Sequence, residues 1–148
     1  MASSLSTEYV MQIPDMTFFQ GDTITIPFEF YDGQNTPIDL TRVTVYWYCC
    51  PYGKPKSPVL VLDSVTKDAK GETKIVVNER ITNLCYVNLN VEDTKKMTYV
   101  KYTQQPVIVL TNSRGTRRYI RAEGNIIFKP MIDDIKLNNE MELMRFFK

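Results

Sequence analysis

Two adjacent carboxylates, Asp133 and Asp134, a run of arginines in "SRGTRRYIR" and three cysteines are the residues whose types could support chemistry. A carboxylate pair can hand a proton back and forth as acid and base. Here the pair stands where the body of the chain meets the tail "MIDDIKLNNEMELMRFFK", and it reads as charged linker. The chain holds no histidine, the commonest acid–base side chain. Ser113, beside Arg114 and Gly115, belongs to a turn, and no base lies near it in sequence. No glycine-rich phosphate loop is present. The inventory therefore predicts a non-enzyme, with no catalytic residue and no cofactor.

The three cysteines cannot all pair within one chain. Cys49 and Cys50 are adjacent, so on a strand they point to opposite faces, and Cys85 lies in the apolar run "LCYVNLNV". Without histidine or a Cys-x-x-Cys pair, no zinc site is expected. Buried free thiols are the reading, since Cys packs as a small hydrophobe.

Arg114, Arg117, Arg118 and Arg121, with Tyr119 between them, could contact a nucleic-acid backbone. Strand alternation argues otherwise. It places Arg117, Tyr119 and Arg121 on one face and Arg118 and Ile120 on the other, so no single basic stripe forms. Net charge is +1, which gives no global field toward nucleic acid or an anionic membrane. The hairpin reads as a solvated or subunit-contacting element, ahead of nucleic acid or another acidic partner. Tyr46, Tyr48, Tyr52, Tyr99, Tyr102 and Tyr119 could stack on sugars. Tyrosine equally suits half-buried strand faces and subunit interfaces, and that reading outweighs the first.

The elements that must position these residues are strands. At 148 residues, with 43% hydrophobic and 24% charged, the chain fits one globular domain. No run approaches the ~20 apolar residues that span a bilayer, and "MASSLSTEYV" has neither the basic nor the apolar segment of a signal peptide. "TITIPFEFY" alternates with Ile24, Ile26, Phe28 and Phe30 on one face, and Pro27 consigns it to an edge or a bulge. "VTVYWYCC" is apolar on both faces and reads as a central strand covered on both sides. "VLVLDSVT", "TKIVVN", "LCYVNLNV" and "YVKYTQQPVIVLT" follow as strands. The segments "TRRYIRAEG" and "NIIFKP" complete a hairpin and a closing strand, and "YVMQIP" is a short first one. "EDTKKM" reads as one helical turn capped by Asp93 and Thr94. The expectation is an all-β, Ig-like antiparallel sandwich of seven to nine strands. An N-terminal arm (1–8) precedes the sandwich (9–130), and a helical or extended tail (131–148) follows it.

In that tail Leu137, Met141 and Met144 fall at helical spacing, followed by Phe146 and Phe147. A helix this short is not stable alone, and Met-rich faces adapt to varied partners. These five residues are the expected docking elements. Extended, the tail could reach roughly 60 Å.

"QGDTITIPFEFYDGQNTPIDLTRVTVYW" and "VNLNVEDTKKMTYVKYTQQPVIVLTNSRGTRRYIRAEGNIIFKP" resemble the N-terminal domain of tailed-phage baseplate upper proteins and related fibre-anchoring domains. The resemblance rests on Gly21-Asp22 before the first long strand and Asp39-Leu40-Thr41 after a turn. It continues with Leu89 to Thr94, the tyrosine strand Tyr99 to Tyr102, and Gly124 to Pro130, and it covers roughly residues 12 to 130. The chain departs from the pattern at Met97-Thr98, where a glycine is usual, and it stops after a short tail. The resemblance implies a β-sandwich without catalytic activity that assembles in a symmetric ring or trimer, and it transfers no binding residues. The expected role is a virion structural or adaptor protein in the tail, neck, baseplate or a head fibre, made in the host cytoplasm. Its expected partners are other virion proteins and copies of itself, with no membrane and nucleic acid disfavoured. A carbohydrate-binding sandwich using exposed tyrosines is the alternative.

Overall fold

Ile24, Ile26, Phe28 and Phe30 turn inward and are buried, while Thr25, Pro27 and Glu29 between them face solvent. That period-2 burial recurs along the chain and defines the architecture. The structure is a computed structural model, and it describes residues 9–98 and 100–130. The arm 1–8, Tyr99 and the tail 131–148, with Leu137, Met141, Met144, Phe146 and Phe147, lie outside the described residues.

The elements are β1 (Tyr9–Gln12), β2 (Met16–Phe19), β3 (Ile24–Glu29), a 3-10 turn (Leu40–Arg42), β4 (Val45–Pro51), β5 (Leu60–Asp63), β6 (Ile75–Val77), β7 (Leu84–Leu89), the single-turn α1 (Val91–Lys95), β8 (Lys101–Thr111) and β9 (Arg117–Lys129). The larger sheet runs β1-β9-β8-β4-β5, with β2 also on β9. The smaller runs β3-β7-β6. In immunoglobulin strand letters β9-β8-β4-β5 correspond to G-F-C-C′ and β3-β7-β6 to B-E-D. The all-β, Ig-like sandwich is thus the fold. Pro27 sits on the edge strand β3, where its missing amide costs no ladder bond.

The core lies between the sheets. Trp47 on β4, Tyr102 at the start of β8, Phe30 and Phe128 are its largest fully buried side chains. Tyr102 meets Phe128 edge-on at 5.7 Å between ring centroids. Antibody domains place a Trp on strand C against a B–F disulfide, whose second Cys follows a corner tyrosine by two residues. Here Gln104 holds that position two residues after Tyr102, and Cys49, Cys50 and Cys85 are free and buried.

Three loops share one design. Asp32, Asp68 and Asn112 each accept the amides two and four residues on, from Gln34 and Thr36, Lys70 and Glu72, and Arg114 and Thr116, all at 2.8–3.0 Å. The residue three positions on then takes a left-handed backbone: Asn35 (φ 61), Gly71 (φ 79) and Gly115 (φ 81). Such a conformation favours Gly or Asn.

Four sequence expectations are corrected. β2 was not anticipated, and it pairs parallel with β9 from Met16↔Ile126 to Phe19↔Lys129. "TRRYIRAEG" and "NIIFKP" are one continuous strand, β9. The α1 turn is capped by Asn90, whose side chain accepts from the Asp93 amide; Asp93 returns the bond to the Asn90 amide as a capping box. β4 is central, but only its inner face is covered: Tyr46 and Tyr48 on its outer face are half-buried.

Candidate docking face

The outer face of the larger sheet is built from strand parity and register. On β4 the inward set is Val45, Trp47 and Cys49, which leaves Tyr46, Tyr48 and Cys50 outward. Tyr48 pairs with Val61 on β5 and Gln105 on β8, and Gln105 Nε2 donates to Glu123 Oε1 on β9 at 3.1 Å. Those four residues form one row across the sheet. The next row is Asp63, Tyr46, Val107 and Arg121. Beyond it Val109 pairs with Tyr119 and Thr111 with Arg117.

The rows fix the chemistry of the face. The Tyr46 and Tyr48 rings lie nearly parallel, 22° apart with centroids at 6.3 Å. Arg121 reaches over the Tyr119 ring at 5.1 Å, within cation–π range. At the far end the loop after β4 rises as a wall, with Tyr52 under the Lys101 ammonium at 3.9 Å. Gly53 adopts φ 80 there, and the Cys50 thiol donates to the Pro55 carbonyl at 3.6 Å. Between this wall and Arg117–Arg121 lies a hollow of ≈ 800 Å³, within the usual range of ligand-sized sites. Asp63 is already committed to its own turn, accepting the Val65 and Thr66 amides at 2.8 and 2.6 Å.

Of the arginines singled out from sequence, Arg117 and Arg121 share this face with Tyr119, as alternation requires. Arg118 takes the other parity, opposite Leu110, and Arg114 is exposed at the β8–β9 turn. Tyr46, Tyr48, Tyr52 and Tyr119 are gathered at the hollow, while Tyr102 goes to the core. Sequence reasoning missed Gln105, Glu123 and Thr103. Their signal was the outward parity of β8 and β9, legible only once the register between those strands is known. Among the described residues, no group of three or more His, Cys, Asp or Glu could hold a metal ion.

The segments behind the family resemblance prove to be scaffolding. Asp39 caps the 3-10 turn by accepting the Thr41 amide at 3.0 Å. Thr94 on α1 donates its hydroxyl to the Asp22 carbonyl at 2.8 Å, and Asp93 binds Lys74 at 2.8 Å. Gly124 lies where a Cβ would stand 2.7 Å from the Ile13 carbonyl oxygen.

No protein-family model and no curated protein matches the sequence. Among solved structures, the chain is similar to Listeria monocytogenes InlP, at 18% identity and TM-score 0.43 over 82% of this chain. The chain spans only 28% of that protein's length. It is also similar to the first Ig-like domain of human CD48 antigen, at 13% identity and TM-score 0.31, over 90% of this chain and 97% of that one. No helix among the described residues is long and apolar enough to cross a membrane.

Proposed function

We propose that this chain is a non-enzymatic structural and adaptor protein of a tailed-phage virion, which docks to neighbouring subunits. The observation that carries the docking is the outer face of the larger sheet, rich in Tyr and Arg and uncovered by any described element. Tyr and Arg are the residues that most often carry interface energy, and strands hold them rigid before any partner arrives. The motifs from Gly21-Asp22 to Pro130 support the virion assignment. Repetition around a symmetry axis makes modest contacts add up.

The test is light scattering of the full chain and of residues 1–130, with pull-down from virions of the phage that encodes the chain. A defined oligomer or capture of virion proteins is expected. A monomer that captures no virion protein would overturn the reading. A carbohydrate-binding sandwich is the second reading, favoured by the parallel Tyr46 and Tyr48 rings beside the Gln105–Glu123 pair. Glycan-array binding by the monomer would select it.

A further inference from the structure

We infer that the hollow on the outer face of the larger sheet is the seat of residues 131–148 of a neighbouring copy. This rests on the docking reading above and names the two surfaces that meet. Charge favours this occupant. Arg117 and Arg121 edge the hollow at one end and Lys54 at the other, against the single carboxylate of Glu123, which is held by Gln105. The segment 131–148 carries Asp133, Asp134, Glu140 and Glu142 against Lys136, Arg145 and Lys148, and between Lys136 and Arg145 its only charges are the carboxylates of Glu140 and Glu142. Glu140 and Glu142 fall on the same side of an extended chain, so both carboxylates can meet guanidinium groups. Such contacts are favourable as charge-assisted hydrogen bonds.

The point where the chain leaves the sandwich, and the length that follows it, favour the same occupant. β9 ends beside the start of β8, since Lys101 pairs with Ile127. The Tyr52 amide bonds the Lys101 carbonyl at 3.2 Å, so the wall of the hollow stands at that same end. From Lys129 back to Arg121 is roughly 26 Å of strand. An extended chain from Pro130 to Glu140 covers at most roughly 35 Å. Asp133 and Asp134 are too near the anchor to reach Arg121 of their own copy, whereas Glu140 and Glu142 have the reach with length to spare. Donating the segment to a neighbour is the arrangement that repeats head to tail and closes into a ring.

The experiment uses the full chain. The hollow variant is Lys54→Glu/Arg117→Glu, both at exposed positions, and the tail variant is Glu140→Lys/Glu142→Lys. Each alone is expected to weaken self-association at least about tenfold, as loss of close charge pairs does. Mixing the two should restore it, because each then offers the surface its partner lacks. Circular dichroism of each variant checks that the sandwich is intact. An oligomer unaffected by either variant would overturn this inference and leave the docking reading standing. So would a chain that is monomeric at every concentration, and capture of virion proteins would then decide the broader reading. Restoration within a single chain carrying all four substitutions, without restoration on mixing, would mean that each copy fills its own hollow, and would also overturn the inference.

Discussion

Trp47 donates its indole N–H to the side-chain oxygen of Gln104 across 2.9 Å, with both side chains fully buried. The Gln104 amide nitrogen in turn lies 3.4 Å from the Met16 sulfur on β2. A buried polar pair is costly only when broken. Gln104→Leu leaves the indole unpaired and is expected to cost about 1–3 kcal/mol. Trp47→Phe adds a packing loss to the stranded Gln104. The double variant should be less damaging than the sum of the two, by about 0.5–3 kcal/mol. Urea titrations of the four proteins check this, and strict additivity would mean that the bond contributes nothing.

Gly124→Ala should destabilise the fold by about 1–3 kcal/mol through overpacking. The new methyl meets the Ile13 carbonyl, and Ile13 cannot retreat without losing its amide bond to Glu123 at 2.9 Å. A lowered melting temperature is the expected readout. An unchanged one would show that the crossing of the β1–β2 link over β9 is loose.

Thiol reagents should distinguish the cysteines. Burial pushes Cys49 and Cys85 up to about 12, so at pH 8 almost no thiolate forms in the native protein. Burial raises Cys50 as well, but it lies on the outer side near the loop. Cys50 should label first. Cys49 and Cys85 should label only at the rate of unfolding, as peptide mapping after timed labelling would report.

Acid should weaken the fold through its turns. The Thr36 and Gln34 amides hold Asp32 below the usual carboxylate range, and those of Glu72 and Lys70 do the same for Asp68. A depressed folded-state pKa contributes stability above the unfolded value, near 3.9. That contribution is lost as pH falls through the folded value. The urea midpoint should drop from pH 5 toward pH 2, and less steeply in Asp32→Asn/Asp68→Asn. Asn112 shows that an amide fits the same turn. Equal slopes would sink the assignment.

Much of the fold was legible because alternation is a local signal. β3, β4 and β7 bury the residues that their spacing marks, and Pro27 announced an edge. "DGQN", "KDAKGE" and "NSRG" announced turns, and their shared Asx-to-Gly/Asn spacing explains why. β2 was illegible for a physical reason: four residues carry too little pattern, and only the β9 edge makes "MTFF" a strand. Gly124 suggested a break in β9, but the glycine is there to admit Ile13, not to end the strand. The face that gathers Tyr48, Gln105 and Glu123 depends on register across three strands, which no single strand encodes. Parity did place Arg117, Tyr119 and Arg121 together.

The parallel pairing of β1 and β2 with β9 has a mechanical consequence. Tyr9 lies beside Ile120 and Phe19 beside Lys129, so the first and last strands run side by side in the same direction. Tension applied through the two chain ends drags these strands past each other lengthwise. The ladder bonds then share the load at once, whereas an antiparallel pair pulled from one end would part rung by rung. A domain joined to its surroundings at both ends is thereby wired to resist pulling along the direction in which a linked assembly would be stretched.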